Sequence, residues 1–277
     1  MSVSLFFNIA FTTMYLFVSM MTWSCKAQNP IQKDSAALTI IDTKKAVADT
    51  VRLDTFVNIS YIMGKFDPAS HALFAEIPAK YVDRSGRYLR KDVLAAFVEM
   101  YEAAKKDGVH LIIKSATRNF ANQKTIWENK WNGNTILEGN INAATDIKDP
   151  VKRAIKILEY SSMPGSSRHH WGTDLDINDF TNEWFSQGEG LKIYAWMTTH
   201  AGSFGFCQPY SKIGSDRNNG YYEEKWHWTY MPVSMILTTF ATQNLKNEMI
   251  SGFKGAETAI EIDIVNNFVL GISPSCK

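Results

Sequence analysis

The sequence predicts an α+β fold, and three observations carry that prediction. Segments with helical spacing and short apolar strands interleave along the chain without a regular strand–helix–strand rhythm. No glycine-rich phosphate loop is present. Hydrophobic residues make up 45% of the 277 residues, which is ample material for a packed core. A doubly wound parallel sheet is therefore not expected.

The first predicted helix covers residues 88–106. Its apolar stripe follows the helical repeat at Val93, Phe97, Met100 and Ala104. Two lysines at 105 and 106 suit the negative end of the helix dipole, and Gly108 suits the stop.

The elements that follow are short. Residues 109–113 form a continuous apolar run, which predicts a buried strand. A helix is predicted over 120–131, where Asn-Gly-Asn breaks it, and another over 149–160, with Pro150 in its first turn. Residues 161–168 are predicted to be a loop. The last predicted elements are a strand over 173–177, a helix over 190–200 and a strand over 226–231.

Residues 1–25 are predicted to be an export signal of the lipoprotein type. The first 24 residues contain no Asp, Glu, Lys, Arg or His, and 5–21 are mostly apolar. Ser24 precedes Cys25 in a pattern that resembles a bacterial lipoprotein cleavage site, where Cys25 would carry the lipid. Plain secretion and an uncleaved anchor stay open, although the apolar span is near the lower length limit for crossing a bilayer. All three place the rest of the chain outside the cytoplasm, in the cell envelope or on the periplasmic side.

Residues 26–55 are polar and read as a tether, which leaves 56–277 as one domain. The net charge of +1 argues against nucleic acid as the main partner. The three cysteines contain no CxxC pair. If Cys25 is lipidated, Cys207 and Cys276 are either a disulfide, which an exported compartment permits, or two free thiols.

Two segments, 167–176 and 223–228, hold three of the six histidines. Imidazole and carboxylate are the ligands that zinc takes in catalytic sites, usually three from the protein. A turn at Gly172 into a strand can bring His169 and Asp176 to one metal. On that strand Asp174 and Asp176 share one face, and Leu175 and Ile177 point to the core. Taken singly, a His-His pair is more often a surface feature and a Trp-His-Trp run is more often a core strand.

Together, these segments resemble the zinc D-alanyl-D-alanine carboxypeptidases of the VanY and VanX type, peptidase family M15. Residues 167–176 are similar to that family's SxHxxGxAxD signature, and 224–227 are similar to its ExWH signature. Residues 115–123 are similar to its SGYRSxxxQ signature. The three motifs follow the family's order and cover roughly residues 109–230. The resemblance implies a single domain of the Hedgehog/D-Ala-D-Ala peptidase-like zinc fold, with a small antiparallel sheet flanked by helices.

The resemblance also implies a role for each matching residue. His169, Asp176 and His227 would be the ligands of Zn²⁺. Glu224 would be the general base, and Arg118 would hold the substrate carbonyl oxygen as it becomes an oxyanion. Three further residues are weaker candidates for gripping the terminal carboxylate or the backbone of the substrate: Gln123, Ser115 and Ser167.

The chain departs from the family pattern at two points of interest. Asp174 stands where the signature has alanine, and it could be a partner of a ligand histidine, an additional acidic group or a salt-bridge partner of Arg168. His170 has no family role and is expected to be a surface residue or to support a ligand.

No HExxH motif is present, which excludes the type of zinc site that a helix carries in the zincins.

The expected function is hydrolysis of the terminal D-Ala-D-Ala bond of peptidoglycan stem peptides by a monomeric, membrane-tethered enzyme. An L,D-carboxypeptidase, a peptidoglycan endopeptidase of the same fold and a non-catalytic zinc domain that binds wall peptides remain alternatives. A glutamate placed beside a metal, as the motif implies for Glu224, argues against a pure binding module. The segment between residues 131 and 164 is expected to shape the substrate groove.

Overall fold

Two antiparallel sheets organise the protein, and the computed structural model describes residues 57–214 and 216–277. The larger sheet has the strand order β3-β4-β6-β5, and the smaller pairs β1 with β2. The strands are β1 (Phe74–Glu76), β2 (Tyr88–Arg90), β3 (Ile113–Ser115), β4 (Asp174–Ile177), β5 (Phe206–Cys207) and β6 (His227–Tyr230). The described residues belong to one compact unit. The α+β prediction with a small antiparallel sheet is confirmed.

Helices flank the larger sheet. They are α1 (Ile59–Ile62), α2 (Lys91–Lys106), α3 (Phe120–Trp131), α4 (Ala143–Asp146), α5 (Pro150–Leu158), α6 (Gly188–His200), α7 (Met231–Asn244) and α8 (Thr258–Ile262). Local signals start several of them. The side chain of Asn119 accepts from the Asn122 amide at the start of α3, and Asp149 accepts from the Lys152 amide at the start of α5.

The two faces of the larger sheet differ in character. Leu175 pairs with Trp228 across β4 and β6, and both side chains belong to a core that also contains residues of α2 and α6. Directly opposite residues of an antiparallel pair share a face. The next pairs in register, Asp174 with Thr229 and Asp176 with His227, therefore lie on the other face. The predicted alternation of β4 is confirmed, and the strand is buried on both faces.

The predicted helix over 88–106 begins three residues too early. Tyr88–Arg90 forms β2 because it pairs with Phe74–Glu76, a contact that helical periodicity cannot reveal. The predicted strand over 109–113 is also displaced, to Ile113–Ser115. The Ile112 amide donates to the side chain of Asn178, which takes the place of a strand partner.

The other predicted elements match within about two residues, except after β6. The predicted helices over 120–131, 149–160 and 190–200 correspond to α3, α5 and α6. Helix α7 over Met231–Asn244 is not predicted from the sequence, because its three threonines weaken the local helical preference. Burial of Val233, Leu237 and Ala241 on one face stabilises this helix through tertiary packing.

Cys207 and Cys276 form a disulfide, with their Cα atoms 5.8 Å apart. The alternative of two free thiols is therefore wrong. The predicted export signal over 1–25 with Cys25, and the tether over 26–55, lie outside the described residues. Within the described part of the chain, no helix has the length and apolar character needed to cross a membrane.

Candidate active site

The chain turns sharply between the two residues of the first motif. A 3₁₀ turn over Arg168–Trp171 ends at Gly172, which adopts a left-handed conformation with φ of 73°. A Cβ at this position would lie 2.3 Å from the Phe74 ring, so glycine is required on both counts. The turn leads directly into β4 and places His169 beside Asp176.

Three side chains converge on one point, as the sequence predicts. One ligand atom each from His169, Asp176 and His227 lies within 4.8 Å of the other two, and all three residues are buried. Nε2 of His169 lies 3.3 Å from Oδ2 of Asp176, and Nδ1 of His227 lies 3.0 Å from Oδ1 of Asp176. The cross-strand pairing of Asp176 with His227 creates the second contact.

The remaining ring nitrogen of each histidine is already engaged. Nδ1 of His169 lies 2.9 Å from the carbonyl oxygen of Ala116, and Nε2 of His227 lies 2.9 Å from Oδ1 of Asp174. Since these oxygens only accept, the hydrogen bonds place the protons on Nδ1 of His169 and Nε2 of His227. The lone pairs on Nε2 of His169 and Nδ1 of His227 then face Asp176. Metal-binding histidines typically show this arrangement, in which the ring nitrogen away from the metal donates a hydrogen bond to a carbonyl or carboxylate oxygen.

The electrostatics also fit a divalent cation. Nε2 of His169 and Oδ1 of Asp176 are buried, and neither has a hydrogen-bond partner in the part of the chain that the structure describes. Burial alone would lower the pKa of His227, but Asp174, Asp176 and Glu224 hold it well above the ordinary value. The site therefore favours positive charge beside this ring, which a divalent cation held by His169, Asp176 and His227 would supply. A borderline-soft ion such as zinc suits two imidazoles and one carboxylate.

Glu224 lies beside this group, where a proton acceptor is needed. Its Oε2 atom is 3.3 Å from Nδ1 of His227, and the side chain is buried. Burial raises the pKa of Glu224 above the ordinary glutamate value, although the nearby His227 opposes the shift. A raised carboxyl pKa suits a group that must take up and later release a proton.

A cavity of about 440 Å³ opens onto these groups. Arg118 lines it just before α3. The Nε atom of its guanidinium is buried and has no hydrogen-bond partner among the described residues. The Arg118 amide donates to the carbonyl oxygen of His169, which ties the two motifs together. The structure thus brings together all five residues assigned to metal binding and catalysis.

The three residues predicted to grip the substrate are buried. Gln123 is buried, and its Nε2 atom donates to the carbonyl oxygen of Ser162. Ser115 lies opposite Asp176 across β3 and β4, and Ser167 is buried with no hydrogen bond to its hydroxyl. None of the three lines the cavity. Their role in substrate binding stays a prediction.

Other polar side chains line the cavity and were not expected from the sequence. Lys130 at the end of α3 donates from Nζ to the hydroxyl of Ser161 at 2.7 Å. The Tyr221 hydroxyl is buried, and Tyr221 also lines the cavity. In the sequence Lys130 is indistinguishable from an ordinary charged residue of a helix, so no sequence signal indicates that it lines the cavity. The segment between residues 131 and 164 does line the cavity, through Glu138, Tyr160, Ser161 and Ser162.

A buried His-Asp-His group with a carboxylate beside it and a guanidinium facing the same cavity is the arrangement expected of a mononuclear metal hydrolase. The family model of VanY, D-alanyl-D-alanine carboxypeptidase, matches residues 86–233, just over half of the chain. The chain belongs to this family.

Curated relatives agree with the family assignment. The chain is 26% identical over 196 residues to "Putative carboxypeptidase YodJ" of Bacillus subtilis (strain 168), covering 69% of this chain and 64% of that protein. It is 26% identical over 135 residues to the D-alanyl-D-alanine carboxypeptidase of Enterococcus faecalis (strain ATCC 700802 / V583), covering 49% of this chain and 45% of that protein. The chain therefore spans less than two thirds of the length of either relative.

Two solved structures are also similar. The LdcB LD-carboxypeptidase is 21% identical with a TM-score of 0.45, over 74% of this chain and 81% of that one. VanYB in complex with D-alanine-D-alanine is 21% identical with a TM-score of 0.43, over 64% of this chain and 87% of that one.

Proposed function

We propose that this protein is a zinc-dependent carboxypeptidase that hydrolyses the terminal D-Ala-D-Ala bond of peptidoglycan stem peptides. The observation that carries the proposal is the convergence of His169, Asp176 and His227 within 4.8 Å, with Glu224 3.3 Å from His227. Membership of the VanY family supports the choice of substrate.

His169, Asp176 and His227 would hold the zinc. When bound, zinc supplies a Lewis acid that makes water acidic enough to be deprotonated near neutral pH. Glu224 takes the proton of the attacking water and later delivers it to the leaving amine of the terminal residue. Its burial and raised pKa suit both halves of this transfer.

Arg118 has the position and the free donor needed to stabilise the reacting carbonyl. Its buried Nε has no hydrogen-bond partner among residues 57–214 and 216–277, so a substrate oxygen can take that place. A guanidinium held in advance stabilises the oxygen as negative charge develops there. A backbone hydrogen bond joins Arg118 to the proposed ligand His169, and it fixes the position of the guanidinium-bearing segment relative to the metal site.

We further propose that the domain works outside the cytoplasm, tethered through Cys25. The uncharged apolar segment before Cys25 supports export. The disulfide between Cys207 and Cys276 supports it too, since such bonds persist in oxidising compartments.

Incubation of the zinc-loaded protein with muropeptides, followed by mass spectrometry of the products, tests the proposed activity. We expect loss of a single terminal D-alanine from pentapeptide stems and no reaction after removal of zinc with a chelator. Trimming of tetrapeptide stems alone would indicate an L,D-carboxypeptidase, and cleavage inside cross-links an endopeptidase. Intact muropeptides after incubation with the zinc-loaded protein would contradict a hydrolytic function.

A further inference from the structure

Asp174 makes four contacts that the alanine of the family signature cannot make. Its Oδ1 atom lies 2.9 Å from Nε2 of His227 and 3.3 Å from Nε of Arg168. Its Oδ2 atom accepts from the hydroxyls of Thr173 at 2.6 Å and Thr229 at 2.9 Å. Asp174 is fully buried, so these contacts satisfy a carboxylate that water cannot reach.

Arg168 is the buried counter-ion of this carboxylate. The guanidinium is buried, stacks 4.3 Å above the ring of Trp171 and donates to the hydroxyl of Thr238 at 3.0 Å. Among the described residues, the acidic side chain that forms an ion pair with Arg168 is that of Asp174.

The pair acts on one ligand histidine and not on the other. His169 is oriented by a backbone carbonyl, that of Ala116, whereas His227 is oriented by the side chain of Asp174. A carboxylate can only accept, so Asp174 keeps the proton of His227 on Nε2 and leaves the lone pair on Nδ1. Nδ1 is the atom that faces Asp176 at 3.0 Å.

We propose that Asp174, with Arg168 as its counter-ion, is the positioning residue that presents Nδ1 of His227 to the metal. This inference rests on the proposed zinc site. The carboxylate fixes the ring against rotation, selects its tautomer and increases its basicity toward zinc. The sequence leaves open that Asp174 is a partner of a ligand histidine or a salt-bridge partner of Arg168. In the structure Asp174 has both roles, because it contacts His227 and Arg168 at once.

Two variants separate positioning from simple structural support. Asp174→Asn keeps the shape and an acceptor oxygen but removes the charge. Asp174→Ala alone would leave Arg168 buried without a counter-ion, so it is combined with Arg168→Met, which removes both charges together. Thr238→Val is the matched control, since Thr238 contacts Arg168 without touching Asp174 or His227.

The test measures zinc affinity by competition with a chromophoric chelator, and thermal unfolding of the same proteins without zinc. We expect the zinc dissociation constant to rise by about 10- to 100-fold in Asp174→Asn and in the double variant. Thr238→Val should bind zinc like the wild type, whatever its melting temperature.

Wild-type zinc affinity in both Asp174 variants would overturn the inference, even if their melting temperatures fall. A separate result would overturn the proposed function itself: wild-type protein that binds no zinc, or His227→Ala that binds it with unchanged affinity. The two failures are therefore distinguishable.

Discussion

The ring of His170 lies with Nδ1 2.5 Å from the backbone carbonyl oxygen of Arg118. Its Nε2 atom accepts from the Gly165 amide at 3.0 Å, so Nδ1 carries the proton and donates to Arg118. His170 is fully buried, which excludes the expected alternative of a surface residue. The two adjacent histidines thus have different roles. His169 faces the metal site, and His170 fixes the backbone at Arg118 through its hydrogen bond to the carbonyl oxygen.

Replacement of His170 should impair catalysis and spare the metal. In His170→Ala the carbonyl of Arg118 loses its donor, and we expect kcat to fall by up to about a hundredfold because the guanidinium is misplaced. His170→Asn, whose amide can donate near the position of Nδ1, should retain more activity. Zinc content should match the wild type in both, whereas His169→Ala should lose zinc. Loss of zinc from His170→Ala with the fold intact would contradict this division of roles.

Arg118 should act on the transition state rather than on substrate binding. We expect Arg118→Ala to lower kcat by about a hundredfold or more, with a smaller change in KM, because the donor matters most when the carbonyl oxygen becomes charged. Steady-state kinetics on a peptide ending in D-Ala-D-Ala separate the two parameters. A large rise in KM with kcat unchanged would instead assign Arg118 to the substrate's terminal carboxylate.

The disulfide should stabilise the domain without taking part in the reaction. It joins residues separated by 69 positions, and a loop of this length predicts a loss of about 4 kcal/mol when the bond is removed. Urea unfolding of Cys207→Ser/Cys276→Ser should show this loss, and reductant should no longer affect its midpoint. Neither cysteine lines the cavity, so activity at low urea should persist. Equal midpoints for wild type and variant would show that the bond contributes nothing.

Much of the site could be predicted because three short motifs, over 115–123, 167–176 and 224–227, resemble those of the VanY family. Asp176 and His227 occupy alternate positions on short strands, and the antiparallel register then places them opposite each other. Gly172 marks the turn that brings His169 to the same point. The end of helix α3 could be predicted because its Asn-Gly-Asn break is a local signal that follows the helix directly.

What could not be predicted depends on contacts between distant segments. Tyr88–Arg90 is compatible with a helix until Phe74–Glu76 pairs with it. The choice between a disulfide and two thiols required the 5.8 Å separation of Cys207 and Cys276. Asp174 could not be assigned one role, because its partners come from two segments that are distant in sequence, one around Arg168 and the other on β6.

The central claim is that Glu224 is the base of a zinc peptidase, and Glu224→Gln tests it most directly. The measurement is the rate of D-alanine release from a D-Ala-D-Ala peptide by zinc-loaded protein, with zinc content determined on the same samples. We expect Glu224→Gln to bind zinc like the wild type and to lose about 10²- to 10⁴-fold in kcat, because no group remains to take the proton of water. Glu223→Gln, at the neighbouring position outside the cavity lining, should retain wild-type activity. Wild-type release of D-alanine by zinc-loaded Glu224→Gln would contradict the account.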